Sequence, residues 1–297
     1  ILSFGSMNID NTYSVDEFVQ PGETMTAKNL SKFCGGKGLN QSIALASAGA
    51  DVAHFGCVGE DGDILLDMLK SRGVNTDSVI KIDNITSGHA IIQVDSHGQN
   101  SILLYPGANR RMTPELIDRE LEKYSCGDWL LIQNETNCLE YIIRAANKKG
   151  MKIAFNPSPM DETVSTLPLE LVDLFLVNEI EGAAVTGKEI TEEITAEFEK
   201  LFPNAAVILT LGKKGSIFKS EKDMLFQPSY CGTVKDTTGA GDTYTGFFIA
   251  NYIKGVSPQE CMRIAAMAST VQISRDGAAI AIPKKQEVLN ALKNHCR

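Results

Sequence analysis

The chain has 297 residues, 43% of them hydrophobic and 22% charged, a balance that supports one sizeable core or two small ones and excludes a disordered chain. Lys and Arg number 28 against 37 Asp and Glu, for a net charge of -9. That excludes the basic surface which sequence-independent binding to nucleic acid requires, yet a small anion held by backbone N–H groups remains within reach.

The longest apolar runs, such as Ala278 to Pro283, fall far short of the roughly 20 residues a membrane helix needs. The start, Ile1-Leu2-Ser3-Phe4-Gly5, carries neither a basic flank nor a long apolar stretch. A soluble, cytoplasmic protein with no membrane or nucleic-acid partner is expected, with something ahead of Ile1 removed. The seven cysteines, Cys34, Cys57, Cys126, Cys138, Cys231, Cys261 and Cys296, are scattered and odd in number, and the four histidines form no H-x-x-x-H pair. Neither a disulfide framework nor a transition-metal site is expected.

In chain order, the first segment outside an α/β pattern is Asn11–Cys34, with Pro21-Gly22 between extended stretches. Val52–Val58 then reads as a buried strand ahead of a helix over Asp61–Arg72. A second irregular segment, Ser87–Tyr105, contains a hairpin signal around Ser96-His97-Gly98-Gln99. We expect residues 11–34 and 87–105 to pair into a small β-layer serving as a lid; two decorative edge hairpins are the alternative reading. Trp129–Gln133 precedes a helix over Leu139–Lys149, and Lys152–Asn156 and Leu174–Val177 read as further buried strands. Val207–Thr210, Ser216–Lys219 and Met224–Gln227 suggest antiparallel additions at a sheet edge. A helix from about Gly241 to Gly255 follows, and Ser257-Pro258-Gln259-Glu260 reads as the capped start of the next, with Glu260 placed for a capping box. The expected fold is α/β: a doubly wound, mainly parallel sheet flanked by helices with a β-sheet lid, in a single domain over residues 1–297.

Asp236-Thr237-Thr238-Gly239-Ala240-Gly241-Asp242 carries the clearest chemistry. Small residues before a helix leave its first N–H groups bare, so Gly239, Ala240 and Gly241 form a prospective anion hole. The segment is not a P-loop, lacking Gly-Lys-Ser/Thr, and Tyr244 stands where a dinucleotide fingerprint wants its third Gly. A carboxylate at Asp242 would repel an anion unless it served as proton acceptor for an attacking hydroxyl. Capping the helix is the other role open to it.

The same segment resembles the C-terminal D-T-x-G-A-G-D signature of the PfkB, or ribokinase-like, carbohydrate kinases, and Gly35-Gly36-Lys37-Gly38-Leu39-Asn40-Gln41 is similar to their glycine-rich N-terminal signature. The likeness runs from Gly5 to Pro283. It is closest to the ribose-phosphorylating branch at Gly5–Asp10, Pro21–Thr24 and Tyr105–Asn109. It implies a kinase moving the γ-phosphate of ATP to O5 of ribose, with Asn8, Asp10, Gly36, Lys37, Asn40 and Glu135 as sugar ligands. Without it, Asn8-Ile9-Asp10 is only a strand end and Glu135 a solvated acid.

The resemblance further implies nucleotide contacts from Asn178, Thr210, Gly212, Lys213, Gly215, Gly241 and Ala266, and a Mg²⁺ held through water by Glu181. Asn178 and Glu181 also suit a capping box, and Lys213 and Lys214 a solvated hairpin turn. It implies a K⁺ site built from Asp236, Thr238, Gln272, Arg275 and Gly277, with Ala281 where a Ser often supplies a hydroxyl, and a homodimer pairing lid to lid. Kinases of fructose, keto-deoxy sugar acids or nucleosides stay open as alternatives, as does a noncatalytic sugar or nucleotide sensor.

Overall fold

The computed structural model describes residues 1–295. The chain opens with β1 (Leu2–Phe4), leaves it for β2 (Asn8–Ser14) and β3 (Asn29–Gly35), and returns through α1 (Lys37–Ser47) to β4 (Ala53–Val58). Next come α2 (Asp63–Ser71), β5 (Val79–Lys81), a second strand pair, β6 (Gly88–Val94) and β7 (Asn100–Tyr105), and α3 (Pro114–Leu121). Strands β8 (Trp129–Gln133), β9 (Lys152–Asn156), β10 (Leu174–Asn178) and β11 (Ala206–Thr210) are interleaved with α4 (Leu139–Lys148), α5 (Glu179–Thr186) and α6 (Thr191–Leu201). Short strands β12 (Ser216–Lys219) and β13 (Met224–Gln227) precede α7 (Ala240–Tyr252), α8 (Pro258–Gln272) and α9 (Lys285–His295).

The main sheet runs β13-β12-β11-β10-β9-β8-β1-β4-β5, parallel except for β12 and β13. Its strands read as unbroken apolar runs because both faces are covered. In β10, Leu174 and Leu176 join the core beneath α1, α7 and α8, whereas Phe175 and Val177 join the opposite core with Ile142 and Phe198. The order in which successive strands are added reverses between the parallel neighbours β1 and β8, and the loops following β1, β8, β9 and β10 gather at one end of the sheet, where α/β folds open a ligand crevice.

A second sheet, ordered β3-β2-β6-β7, stands apart from the first. It begins earlier than residue 11, since Asn8 is already in register with Gly35 on one side and Gly88 on the other. Asn8 and Asp10, expected from the sequence to meet a sugar, therefore lie on this small sheet rather than at the end of a main-sheet strand.

Helix α8 starts after Ser257 with Pro258 in its first turn, but Ser257 makes no side-chain cap. The expected capping box is absent because Glu260 accepts two N–H bonds from Arg263, at 2.6 and 2.8 Å. A charge-assisted fork outcompetes a single backbone donor. The six described cysteines are free, Cys296 lies outside the described residues, and among the described residues no helix is long and apolar enough to cross a membrane.

Candidate active site

Helix α7 begins at Gly239, whose φ of 78° is open to glycine at little cost and which makes no side-chain cap. The Ala240 N–H is not bare, as the sequence led us to expect: it closes a turn onto the carbonyl of Thr237 at 3.2 Å. The Gly241 N–H is bare, as expected, since among the described residues nothing accepts it, and a Cβ placed on Gly241 would meet only open space.

Asp242, 7% exposed, lies in the first turn of α7. Its carboxylate caps no backbone. It accepts instead from Asn40 Nδ2 at 3.0 Å and from Gln41 Nε2 at 2.9 Å, two neutral amides on α1. Asn40, expected to meet the sugar, gives one N–H to Asp242 and has its Oδ1 buried without a partner among the described residues. Gln41, given no role in the sequence, is the hub: it also donates to Asn156 Oδ1 at 3.0 Å and accepts from Gln133 Nε2 at 2.8 Å. The available signal was Asn40-Gln41-Ser42, three polar residues buried in the middle of α1.

The residues expected on the sugar side converge nearby. Asn8 Oδ1 accepts from Asn109 Nδ2 at 2.7 Å, and Asn109 in turn accepts from the Met7 N–H at 3.0 Å, so Asn109 is a second residue without an expected role. Asp10 packs so closely on Gly35 that a Cβ there would lie 2.0 Å from its Oδ2. Burial, with the charge of Glu135 adding to it, pushes the Asp10 carboxyl up to about 7. Burial likewise raises Glu135, whose Oε2 accepts from the Ser6 hydroxyl and from the Lys37 N–H at 2.9 Å. Gly36 is the N-cap of α1.

Lys37 serves both halves. Its backbone holds Glu135, while its side chain lines a cavity of about 240 Å³ with Asn178, Glu181, Thr210, Gly241 and Asp242. Burial would lower its pKa, but the carboxylates of Asp242, Glu135 and Glu181 together hold it above the usual value. Asn178 and Glu181 form a capping box at the start of α5. That arrangement uses one Glu181 oxygen, Oε2, and leaves the other without a partner among the described residues. Thr210 ends β11, and Gly212–Lys214 form the turn beyond it, with Lys213 exposed and Gly215 closing the turn. Ala266 does not reach the cavity; it packs within the core on α8.

The residues expected to enclose K⁺ do come together, but they do not fit an ion. Gln272 Nε2 donates to the carbonyls of Thr238 and, at 3.2 Å, Gly277, two of the oxygens a cation would need. The Gln272 carbonyl accepts from the Arg275 N–H at 3.0 Å. Asp236 is spent on the N–H groups of Thr238, at 2.8 Å, and Gly277, at 2.9 Å. The carbonyl of Ala281 faces Arg275 Nη1 at 3.5 Å, and its side chain offers no oxygen.

Comparison with known proteins decides the family, for the model described as pfkB family carbohydrate kinase matches residues 1–285. The chain belongs to that family. Its two signature segments are the ones that meet at Asn40, Gln41 and Asp242. A ribokinase of Haemophilus influenzae is 33% identical over 298 residues, covering 98% of this chain and 97% of that protein. The structure of Arabidopsis thaliana ribokinase complexed with ribose and ATP superposes with a TM-score of 0.87 at 30% identity, over 98% of both chains. Thermotoga maritima ribokinase gives 0.88 at 31%, over 99% of both.

Proposed function

We propose that this pfkB-family kinase transfers the γ-phosphoryl group of ATP to the O5 hydroxyl of ribose, with Asp242 accepting the hydroxyl proton. The observation that carries this reading is the position of Asp242, buried under the open N-terminus of α7 and aimed by two neutral amides. Neutral donors fix the direction of a carboxylate without forming the ion pair that Arg or Lys would make. A base so placed contributes about 10²- to 10⁴-fold in rate.

The remaining residues take roles that follow from their chemistry. Asn8, Asp10 and Glu135 present hydroxyl partners to the sugar, and Asn109 and Ser6 hold two of them in place. The Gly241 N–H, at the positive end of the α7 dipole, and the Lys37 ammonium face the phosphoryl group and stabilise the charge that spreads over its oxygens. Asn178 and Thr210 border the nucleotide phosphates, with the Gly212–Gly215 turn beside them. The unspent Glu181 oxygen, in a cavity with room for water, suits a hydrated Mg²⁺, whose charge would neutralise the nucleotide phosphates.

The small sheet serves as a lid over the sugar. Leu103 is 68% exposed and Ile102 58%, an apolar surface on a sheet edge that a second copy would cover, so the working form is a homodimer paired through the lids. A cytoplasmic location goes with ATP as donor. A coupled ADP-release screen over ribose, deoxyribose, fructose and adenosine tests the reading: ribose should give the highest kcat/KM, and a preference for any of the others would replace it.

A further inference from the structure

We propose that the side-chain amide of Gln272 takes the place of a monovalent cation, so that this chain needs no K⁺ to shape its phosphoryl site. The inference rests on the kinase reading above. The Thr238 carbonyl comes from the loop before α7, and the Gly277 carbonyl from the loop after α8. Two converging carbonyl dipoles repel each other unless something positive lies between them. Here that position is taken by Nε2 of Gln272, which donates to both.

Gln272 is 0% exposed, so water does not compete for either carbonyl. Its Oε1 is buried without a partner. Reversing the amide would aim that oxygen at both carbonyl oxygens and strand the NH₂ group, which fixes the orientation. Asp236, the negative charge that would draw a cation, has both carboxylate oxygens engaged, Oδ1 by the Thr238 N–H and Oδ2 by the Gly277 N–H. Anchoring Thr238 fixes the residue just before Gly239, and so the turn that presents Gly241. The covalent chain itself then supplies what a bound ion would.

The test compares KCl with tetramethylammonium chloride at equal ionic strength, reading ribose-dependent ADP release and Tm. Wild-type protein should give the same kcat and Tm in both salts. Gln272→Ala should lose at least tenfold in kcat in tetramethylammonium and regain most of it in KCl, with Tm rising as K⁺ is added. Crystals soaked in Tl⁺ should show an anomalous peak between the two carbonyls in the variant only. K⁺ activation or a Tl⁺ peak in the wild type overturns the proposal, as does a Gln272→Ala protein fully active in either salt. The wild-type arms decide the question even if the variant does not fold. Absence of ribose-dependent ADP release in every salt counts against the kinase reading, while Tm and Tl⁺ still judge the amide.

Discussion

The side-chain amide of Gln41 donates to the carboxylate of Asp242 across 2.9 Å, although 201 residues separate the two in the chain. The bond joins the glycine-rich start of α1 to the first turn of α7. It also makes the orientation of Asp242 depend on a buried chain of amides through Gln133 and Asn156.

Replacing Gln41 by Leu removes one donor from Asp242 and leaves Asn156 Oδ1 and Gln133 Nε2 each without a partner. Unsatisfied buried polar groups cost about 1–3 kcal/mol each, so urea unfolding should show a stability loss of that order. Steady-state kinetics should show kcat falling by about tenfold or more with the KM for ATP little changed, because neither Gln41 nor Gln133 lines the cavity assigned to the nucleotide. Equal losses in kcat and ATP affinity would indicate general damage to the site instead.

Asp10 gives a pH dependence of known sign. Its carboxyl is pushed up to about 7, so from about pH 4 upward the folded protein holds a proton that the unfolded chain has released. Stability from this group therefore falls as pH rises through that window. Asp10→Asn cannot ionise, so its Tm advantage over wild type should be larger at pH 8 than at pH 5, while its affinity for ribose drops. An advantage that is the same at both pH values would contradict the assignment.

At Glu181, substitution by Gln keeps the capping box, because an amide at that helix position reaches the same backbone N–H. The folded protein should hence be nearly as stable as wild type. Only the charge facing the cavity is lost. The Mg²⁺ concentration for half-maximal rate should rise several-fold with little change in ribose KM, measured by titrating MgCl₂ at fixed ATP; an unchanged requirement would remove Glu181 from the metal's surroundings.

Leu103 tests the pairing of lids. Leu103→Glu puts a charge on the exposed apolar strand β7, where it would be buried against a second copy. Light scattering after size exclusion should show the wild type at twice the chain mass and the variant as a monomer. A monomeric wild type would leave β7 without its proposed cover.

The parallel sheet was legible because strands covered on both faces, such as Leu174–Val177, must be apolar throughout. The open start of α7 was legible because Gly239 and Gly241 are small residues placed at a helix start. Two features depend on how distant segments meet, and no local pattern carries that: Gln41 bonds to Asp242 on another helix, and Gln272 to carbonyls on two loops. Ala240 is a local case, since its N–H closes a tight turn onto Thr237 just before the helix. The mistaken capping box at Ser257 has a local cause, since Arg263 lies one turn along α8 and outbids the backbone for Glu260.

The central claim is that Asp242 takes a proton from the sugar hydroxyl, and the measurement that meets it most directly is ribose-dependent ADP release by Asp242→Asn beside the wild type, with binding of ATP and ribose followed by calorimetry. Because Asn keeps the shape and loses the proton acceptor, kcat should fall by about 10²- to 10⁴-fold while both ligands bind nearly as before. Undiminished turnover in the variant would contradict the account.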